Sequence, residues 1–276
     1  MTESQHTGIG TIAAIWRYPV KSMMGEEMTA ADITARGMLG DRAYAVIDSL
    51  TGTVASAKHP RKWGRLFDCR AQWTLAPLQN DASAPIRVML PDGRTISAGN
   101  AELDAQLSLL LGRDVHLTSV TPAGATLEQY WTDIPGQARQ NEVTHETMPE
   151  GTFFDGAPIH VMTTATLDAL RREYPAGRFE IRRFRPNLVI ASQTEKTGFI
   201  ENAWVGRTVT IGNDLILKIT GPCARCVMTT LPQGDLPEDP GILRTAVKHN
   251  QSAVGVYATV ARPGRVRRGD QVVFAS

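Results

Sequence analysis

Leu215-Ile216-Leu217-Lys218-Ile219-Thr220-Gly221-Pro222-Cys223-Ala224-Arg225-Cys226-Val227-Met228-Thr229-Thr230 is the stretch around which the rest of the chain can be read. Its first five residues form a short apolar run of strand type, and Gly221-Pro222 breaks it. Val227 to Thr230 is rich in β-branched residues and reads as strand again. Between them lies a C-x-x-C pair, a spacing shared by redox exchange, by half of a zinc site and by two unrelated packed cysteines. A thioredoxin-like motif wants a helix after the pair, which Val227–Thr230 does not suggest. A structural zinc needs two further ligands, for which Cys69 or His249 would have to be recruited. Arg225 beside Cys226 favours the thiolate, the form that binds metal or attacks. The pair alone leaves function and plain packing both open.

Runs like Leu215–Ile219 recur along the chain. Thr11–Trp16, Ala43–Asp48, Ile159–Met162, Val209–Ile211, Ala253–Ala261 and Gln271–Phe274 are short apolar segments bounded by turn residues. Ile86–Leu90, the Pro91-Asp92-Gly93 turn and Thr95-Ile96 read as a hairpin. Phe184–Ala191 is strand-like, and Pro186 biases Arg185 toward an extended backbone. Three helices are predicted. Asn100 to Gly112 has a capping Asn, four leucines on one face and a terminal Gly. Thr163-Thr164 opens a second through Tyr174, and Asp239-Pro240 opens a third through Asn250. Many short strands with few helices predict an α+β, predominantly β fold: a β-barrel with peripheral helices. Thr118 to Pro149 is polar without periodicity, which places a junction at 121–150 between units 1–120 and 151–276. No glycine-rich strand-to-helix turn is present, so a Rossmann or P-loop nucleotide site is excluded.

The 276 residues carry 29 Lys plus Arg against 28 Asp plus Glu, which argues against nucleic acid as a partner. No apolar run approaches the ~18 residues of a membrane span. Met1–His6 has neither the basic nor the apolar region of a signal peptide, so the cytoplasm is the expected compartment. Three cysteines fall short of a disulfide framework or an all-cysteine iron–sulfur site. Electrons, if the protein uses them, are expected from a partner.

Basic residues cluster at predicted strand ends. Tyr18-Pro19-Val20-Lys21-Ser22 leaves one strand and Gly40-Asp41-Arg42 opens the next, a lysine point charge and an arginine fork suited to phosphate. Arg182, Arg183 and Arg185 precede Asn187; if extended, Arg183 and Arg185 point to one side and could grip an anion with Asn187. Thr163-Thr164 offers either a helix cap or free N–H groups for an anion. Taken singly, solvated surface or simple capping explains each of these.

Together they resemble a known family. Tyr18–Ser22 with Gly37–Arg42 is similar to the opening of the MOSC N-terminal β-barrel domain. Arg183–Asn187, Trp204–Arg207, Cys223–Cys226 with Thr229-Thr230, and Val266–Asp270 are similar to the MOSC domain itself. These motifs occur in family order and span nearly the whole chain, with the amidoxime reducing components as related members. The resemblance implies a MOSC-type β-barrel plus a smaller N-terminal β-barrel-like domain. It implies a molybdenum cofactor, a pyranopterin dithiolene with a terminal phosphate, whose metal takes Cys226 as its protein thiolate ligand. Lys21, Ser22, Arg42, Thr164, Arg185 and Asn187 would line the cofactor pocket and Arg225 would stand beside the metal; Cys223 is given no ligand role. The implied activity is reduction of small N-oxygenated substrates (N-hydroxylated bases, amidoximes, hydroxylamines), with a flavin reductase or ferredoxin-type protein as electron donor. A persulfide-carrying sulfur transferase on Cys226 and a non-catalytic cofactor carrier are the alternatives. Leu231–Asp235 departs from the hydrophobic-Asp-Pro pattern frequent after Thr-Thr in the amidoxime reducers.

Overall fold

In the stretch Leu215–Ala224, Leu215, Leu217 and Ile219 are buried while Lys218 and Thr220 face out, the period-two pattern of a strand with one covered face. The computed structural model describes residues 8–78, 85–135, 139–193 and 197–275; Met1–His6 lies outside them. Seven strands close into a barrel: β1 (Gly8–Arg17), β2 (Ile159–Thr163), β3 (Leu188–Ser192), β4 (Thr208–Ile211), β5 (Leu215–Ala224), β6 (Ala253–Arg262) and β7 (Gln271–Phe274). Their spatial order is β3-β2-β6-β5-β4-β7-β1, and β1 returns to β3 to close the ring. The closing pair is antiparallel, with Ile12 opposite Ile190 and Ile15 opposite Leu188. The N-terminal strand therefore completes a barrel whose other six strands come from the second half of the chain. Ile12, Ile15, Val161, Leu188, Leu217, Ile219 and Val256 fill its interior. Closure leaves these seven strands no open edge along the ring.

β2 and β3 are parallel, so the chain must cross over between them. Helix α2 (Thr164–Glu173) makes that crossing; α1 (Ala101–Leu111) and α3 (Pro240–Asn250) are the other long helices. Asn100 caps α1 by accepting from the Glu102 N–H, and Gly112 ends it in the left-handed region. Asp239 caps α3 and Pro240 takes its first position, as the sequence predicts. A second core gathers Trp63, Leu66, Ile86, Val88, Leu103 and Leu107 beneath α1 and the sheet of Arg70–Trp73, Ile86–Met89 and Thr95–Ser97. The fold is mostly β, with a closed seven-strand barrel and few helices, as expected.

Three local expectations are corrected. Val227–Thr230 is a 3₁₀ turn rather than a strand, because the Thr229 and Thr230 hydroxyls donate back to the Cys226 and Val227 carbonyls and close it locally. Thr118–Pro149 is not structureless: Thr126–Trp131 and Glu142–Thr147 pair as an antiparallel hairpin, and Leu127 is buried in a small core with Val54 and Phe153. The half-exposed alternation of that hairpin is too weak to stand out as a period. The strand expected over Phe184–Ala191 begins only at Leu188: Ile181–Phe184 forms one helical turn, and Arg185 follows at φ 52°, ψ 47°, not extended. Its N–H donates to the Ile181 carbonyl and its guanidinium to the Met23 carbonyl, and together these override the pre-proline bias.

Arg183 and Arg185 consequently point to different places. Arg183 is fully buried without a carboxylate on it. Its Nε donates to Arg178 O at 2.9 Å, Nη1 to Thr229 O and Leu231 O at 3.2 Å each, and Nη2 to Pro237 O at 2.8 Å. Burial pulls its pKa below the ordinary arginine value. Arg183→Met would leave four carbonyls without this donor, those of Thr229 and Leu231 buried, at a cost of roughly 3 kcal/mol in urea unfolding. A loss below about 1 kcal/mol would mean the segment finds other donors.

Candidate functional site

A cavity of about 940 Å³ opens where the C-terminal end of β5, the start of β6, α3 and the loops before β2 and β3 meet. Lys21, Ser22, Arg42, Arg185, Asn187, Arg225 and Cys226, all singled out in the sequence, line it. Their separation along the chain exceeds two hundred residues, and the closing of β1 onto β3 brings the two groups together. Thr164 is not among the lining residues. Six described non-glycine residues have positive φ, and five of them (Ser22, Arg42, Arg185, Gln251 and Ser252) lie on this cavity. Such conformations cost on the order of 1–3 kcal/mol each and concentrate where the surrounding structure over-determines them, often at binding sites.

The cations of the inner wall are held in different ways. Lys21 is buried and donates to Phe153 O at 3.0 Å and Asp155 Oδ1 at 2.6 Å. Burial lowers its pKa to about 8, against the pull of Asp155. Lys58 reaches the same carboxylate oxygen at 3.4 Å. Burial alone would raise the Asp155 pKa, but Lys21 and Lys58 outweigh it and hold the carboxyl well below the usual range. Arg42 pairs with buried Asp41, and its guanidinium lies 4.9 Å from the Tyr18 ring centre. Arg185 has no carboxylate: Nη1 donates to Met23 O at 2.6 Å, and the group lies 4.2 Å from the Tyr18 ring centre. Burial, then repulsion from Arg42, lowers it to about 10.

Ser22 Oγ accepts the Ala57 N–H at 3.0 Å, which leaves its proton to give. The Asn187 amide is engaged by the backbone, accepting from His160 N at 3.1 Å and donating to Trp16 O at 3.4 Å. Asn187 thus joins β1, β2 and β3 at the cavity wall rather than offering an open amide.

The two cysteines separate. Cys223 is fully buried and Cys226 half-buried. Arg225 Nη1 donates to Cys223 Sγ at 2.7 Å. Burial would push the Cys223 thiol up, but Arg225 and His160 outweigh it and bring the pKa down to about 6. Arg225 Nε is buried with no partner in the protein, a donor left for something in the cavity. Cys69 lies in the other core and does not line the cavity, and no group of three or more His, Cys, Asp or Glu among the described residues could hold a metal. A protein-only zinc cage is therefore not built here.

Among the described lining residues, seven cations (Lys21, Arg42, Lys58, Arg185, Arg225, Arg244 and Lys248) face a single carboxylate, Asp155. Residues 9–101 match the family model described as MOSC N-terminal beta barrel domain, and residues 149–273 match that of the MOSC domain. The chain belongs to the MOSC domain family. It is similar to mitochondrial amidoxime-reducing component 1 of Mus musculus, 26% identical over 96% of this chain and 82% of the relative. Mitochondrial amidoxime reducing component 2 of Bos taurus is 26% identical over 96% and 83%. The solved YUAD protein from Bacillus subtilis aligns over 97% of both chains at 12% identity, with a TM-score of 0.49. No helix among the described residues of this MOSC chain is long and apolar enough to cross a membrane.

Sequence reasoning missed Lys58, Asp155, His160 and Tyr257, which line the same cavity. No local motif marks them; only the fold brings them in. Gly255 is a further case: at φ +81° a Cβ there would stand 2.4 Å from His160 Nε2 and 2.5 Å from Val161 O.

The start of α2 explains where Thr164 went. Thr163 caps the helix, and its hydroxyl and that of Thr166 both donate to Glu201 Oε2 at 2.7 Å. The anion at this helix N-terminus is the protein's own buried carboxylate. Burial outweighs those hydrogen bonds and raises the Glu201 pKa. A raised folded pKa means stability fully present below the unfolded value, ~4.5, and lost as pH rises through the folded one. Glu201→Gln should therefore unfold at higher urea than the parent at pH 8, with the advantage shrinking toward pH 5. An advantage that is the same at both pH values would contradict the buried charge.

The inner cations make a second expectation. Inorganic phosphate at ten times its Kd for the parent should raise the parent's thermal midpoint by about 4 °C, equivalent to ~1.4 kcal/mol. Lys21→Ala and Arg185→Ala should each at least halve that shift. Equal shifts in all three proteins would put the anion elsewhere.

Proposed function

We propose that this protein is a molybdenum-cofactor oxidoreductase that reduces N-oxygenated compounds, with Cys226 as the thiolate ligand to the metal. The observation that carries the reading is the meeting, in one cavity, of a half-buried thiol and a surplus of cations with an orphaned buried N–H. A phosphorylated, hydrogen-bonding anion with a soft metal fits that donor set. The names of the amidoxime-reducing relatives support the reaction class.

Lys21, Arg42 and Arg185 would hold the terminal phosphate, and Ser22 would give it a hydroxyl proton. Arg225 would donate its free Nε–H to the cofactor while Cys223 fixes the other end of the guanidinium. Cys226 would bind the metal through Sγ. A molybdenum cofactor, when bound, supplies a two-electron centre that can accept an oxygen atom. The net change, R–NH–OH + 2 e⁻ + 2 H⁺ → R–NH₂ + H₂O, takes its protons from water entering the open cavity. Its electrons come from a separate flavin reductase or ferredoxin-type donor, in a cytoplasmic setting. The Tyr257 hydroxyl beside Arg225 has its pKa raised by burial and by Cys223, so it stays protonated and can donate.

Metal and pterin analysis of protein made in a host that synthesises the cofactor tests this. One molybdenum and one pterin per chain are expected, and a folded protein with neither would sink the reading. Cys226→Ala should lose bound molybdenum and reductase activity together, by more than the ~100-fold typical of losing a supporting residue. Cys223→Ala should keep the metal count. Equal loss of metal in both variants would point to a dithiol site instead.

A further inference from the structure

Two of the cavity's cations have neither work in the arrangement above nor a partner among the described residues. α3 carries Arg244 and Lys248 four residues apart, on the face that lines the cavity. Both are exposed, and neither has an ion-pair or hydrogen-bond partner among the described residues. On the inner wall, by contrast, Lys21 and Lys58 share Asp155, Arg42 has Asp41 and Arg225 has Cys223. Lys248 in the last turn suits the negative end of the helix, but Arg244 in the middle has no such reason to be basic.

α3 is tied to the cysteine segment. Val227–Thr230 packs on it, and the Arg225 N–H donates to Ser252 O at 2.8 Å just past its end. The two free cations therefore belong to the Cys226 side of the cavity, at its solvent mouth. The hairpin Thr126–Trp131/Glu142–Thr147 and the loop after Trp131 supply apolar surface at the same cavity. The Trp131 indole N–H donates to Thr144 Oγ1 at 2.9 Å, which fixes a half-buried ring, and Ile134 follows on the lining. A planar ligand can rest on such a ring.

We propose that the mouth selects N-oxygenated substrates that carry a negative charge, with their planar part on Trp131 and Ile134 and a carboxylate or phosphate answered by Arg244 and Lys248. This rests on the reductase reading above. Because the two cations line the cavity together with Trp131, a small anion inside it is favoured over an acidic face of a donor protein lying across it.

The test uses cofactor-loaded protein with a reduced viologen dye as electron source, so no protein donor is needed. Two pairs are compared: benzamidoxime with 4-carboxybenzamidoxime, and N4-hydroxycytidine with its 5′-monophosphate. In at least one pair kcat/KM should favour the anion by about tenfold, the order of one charge-assisted contact. The pair with the larger ratio tells carboxylate from phosphate. The double variant Arg244→Ser, Lys248→Ser should bring that ratio close to one, and the double change to Glu should invert it. Binding of the same compounds, followed by tryptophan fluorescence, should show the same preference in Kd.

Tighter binding of the anions without turnover of any compound would keep the anion site and sink the reductase reading. Turnover and binding with no preference in the parent, or a preference the double variant retains, overturns the selection and leaves the reductase reading intact. A parent with no preference, whose Arg244→Ser, Lys248→Ser variant loses activity only when a protein donor replaces the dye, also overturns it and assigns the pair to donor docking.

Discussion

The position of Cys226 depends on a guanidinium that has only carbonyls to bind. Arg183 is buried at the end of a single helical turn and distributes its N–H groups over Arg178, Thr229, Leu231 and Pro237. Burying an unpaired charge is costly unless hydrogen bonds replace the lost water. Here four backbone carbonyls do so, and three of them belong to the segment that follows Cys226. That segment holds one 3₁₀ turn and then a tight turn in which Gln233 and Leu236 exchange backbone bonds. The arginine adds three ties to this segment, whose turn packs against α3, so the half-buried thiol keeps a defined place.

The next arginine of the same motif, Arg185, shows the opposite use of the same chemistry. Its backbone turns left-handed, its side chain crosses to the Met23 carbonyl, and its face lies on Tyr18. Tyr18 in turn donates to Pro186 O and faces Arg42 as well. Two like charges share one aromatic ring; burial first, and then Arg42, lower the pKa of Arg185, and both cations face a common space. Among the described lining residues Asp155 is the one carboxylate, with Asp41 behind Arg42. The left-handed backbone at Ser22, Arg42 and Arg185 is part of the same arrangement, since each directs a polar side chain into the cavity at a local conformational cost.

The barrel was legible in the sequence because its strands alternate strongly or are buried on both sides, as Leu215–Ile219 and Ile159–Met162 illustrate. α1 and α3 were legible from their caps, Asn100 and Asp239. The hairpin at Thr126–Thr147 was not, since most of its second strand is exposed and its polar residues carry no period. Arg185 was misjudged because a pre-proline preference is weak against one carbonyl and two aromatic rings brought from the other end of the chain. Within the site, the residues carried by motifs converged, apart from Thr164. Lys58, Asp155 and Tyr257 had no local mark, because their roles arise from charge and burial that exist only after β1 closes the barrel.

The separation of the two cysteines follows from strand geometry. Side chains three residues apart on a strand face opposite ways, and β5 ends at Ala224, between the pair. Cys223 is still in the strand and turns inward, where Arg225 and His160 favour its thiolate. Cys226 lies beyond the last ladder bond, on extended backbone at φ −124°, where its side chain is only half covered. Arg225 stands between them, its chain N–H held by Ser252 and its guanidinium by Cys223, with one buried N–H left over. A C-x-x-C in a helix would place both sulfurs on one face and favour a disulfide. At a strand end the same four residues instead give one enclosed sulfur that anchors a cation and one accessible sulfur beside it. The spacing alone could not distinguish these cases; the strand end does.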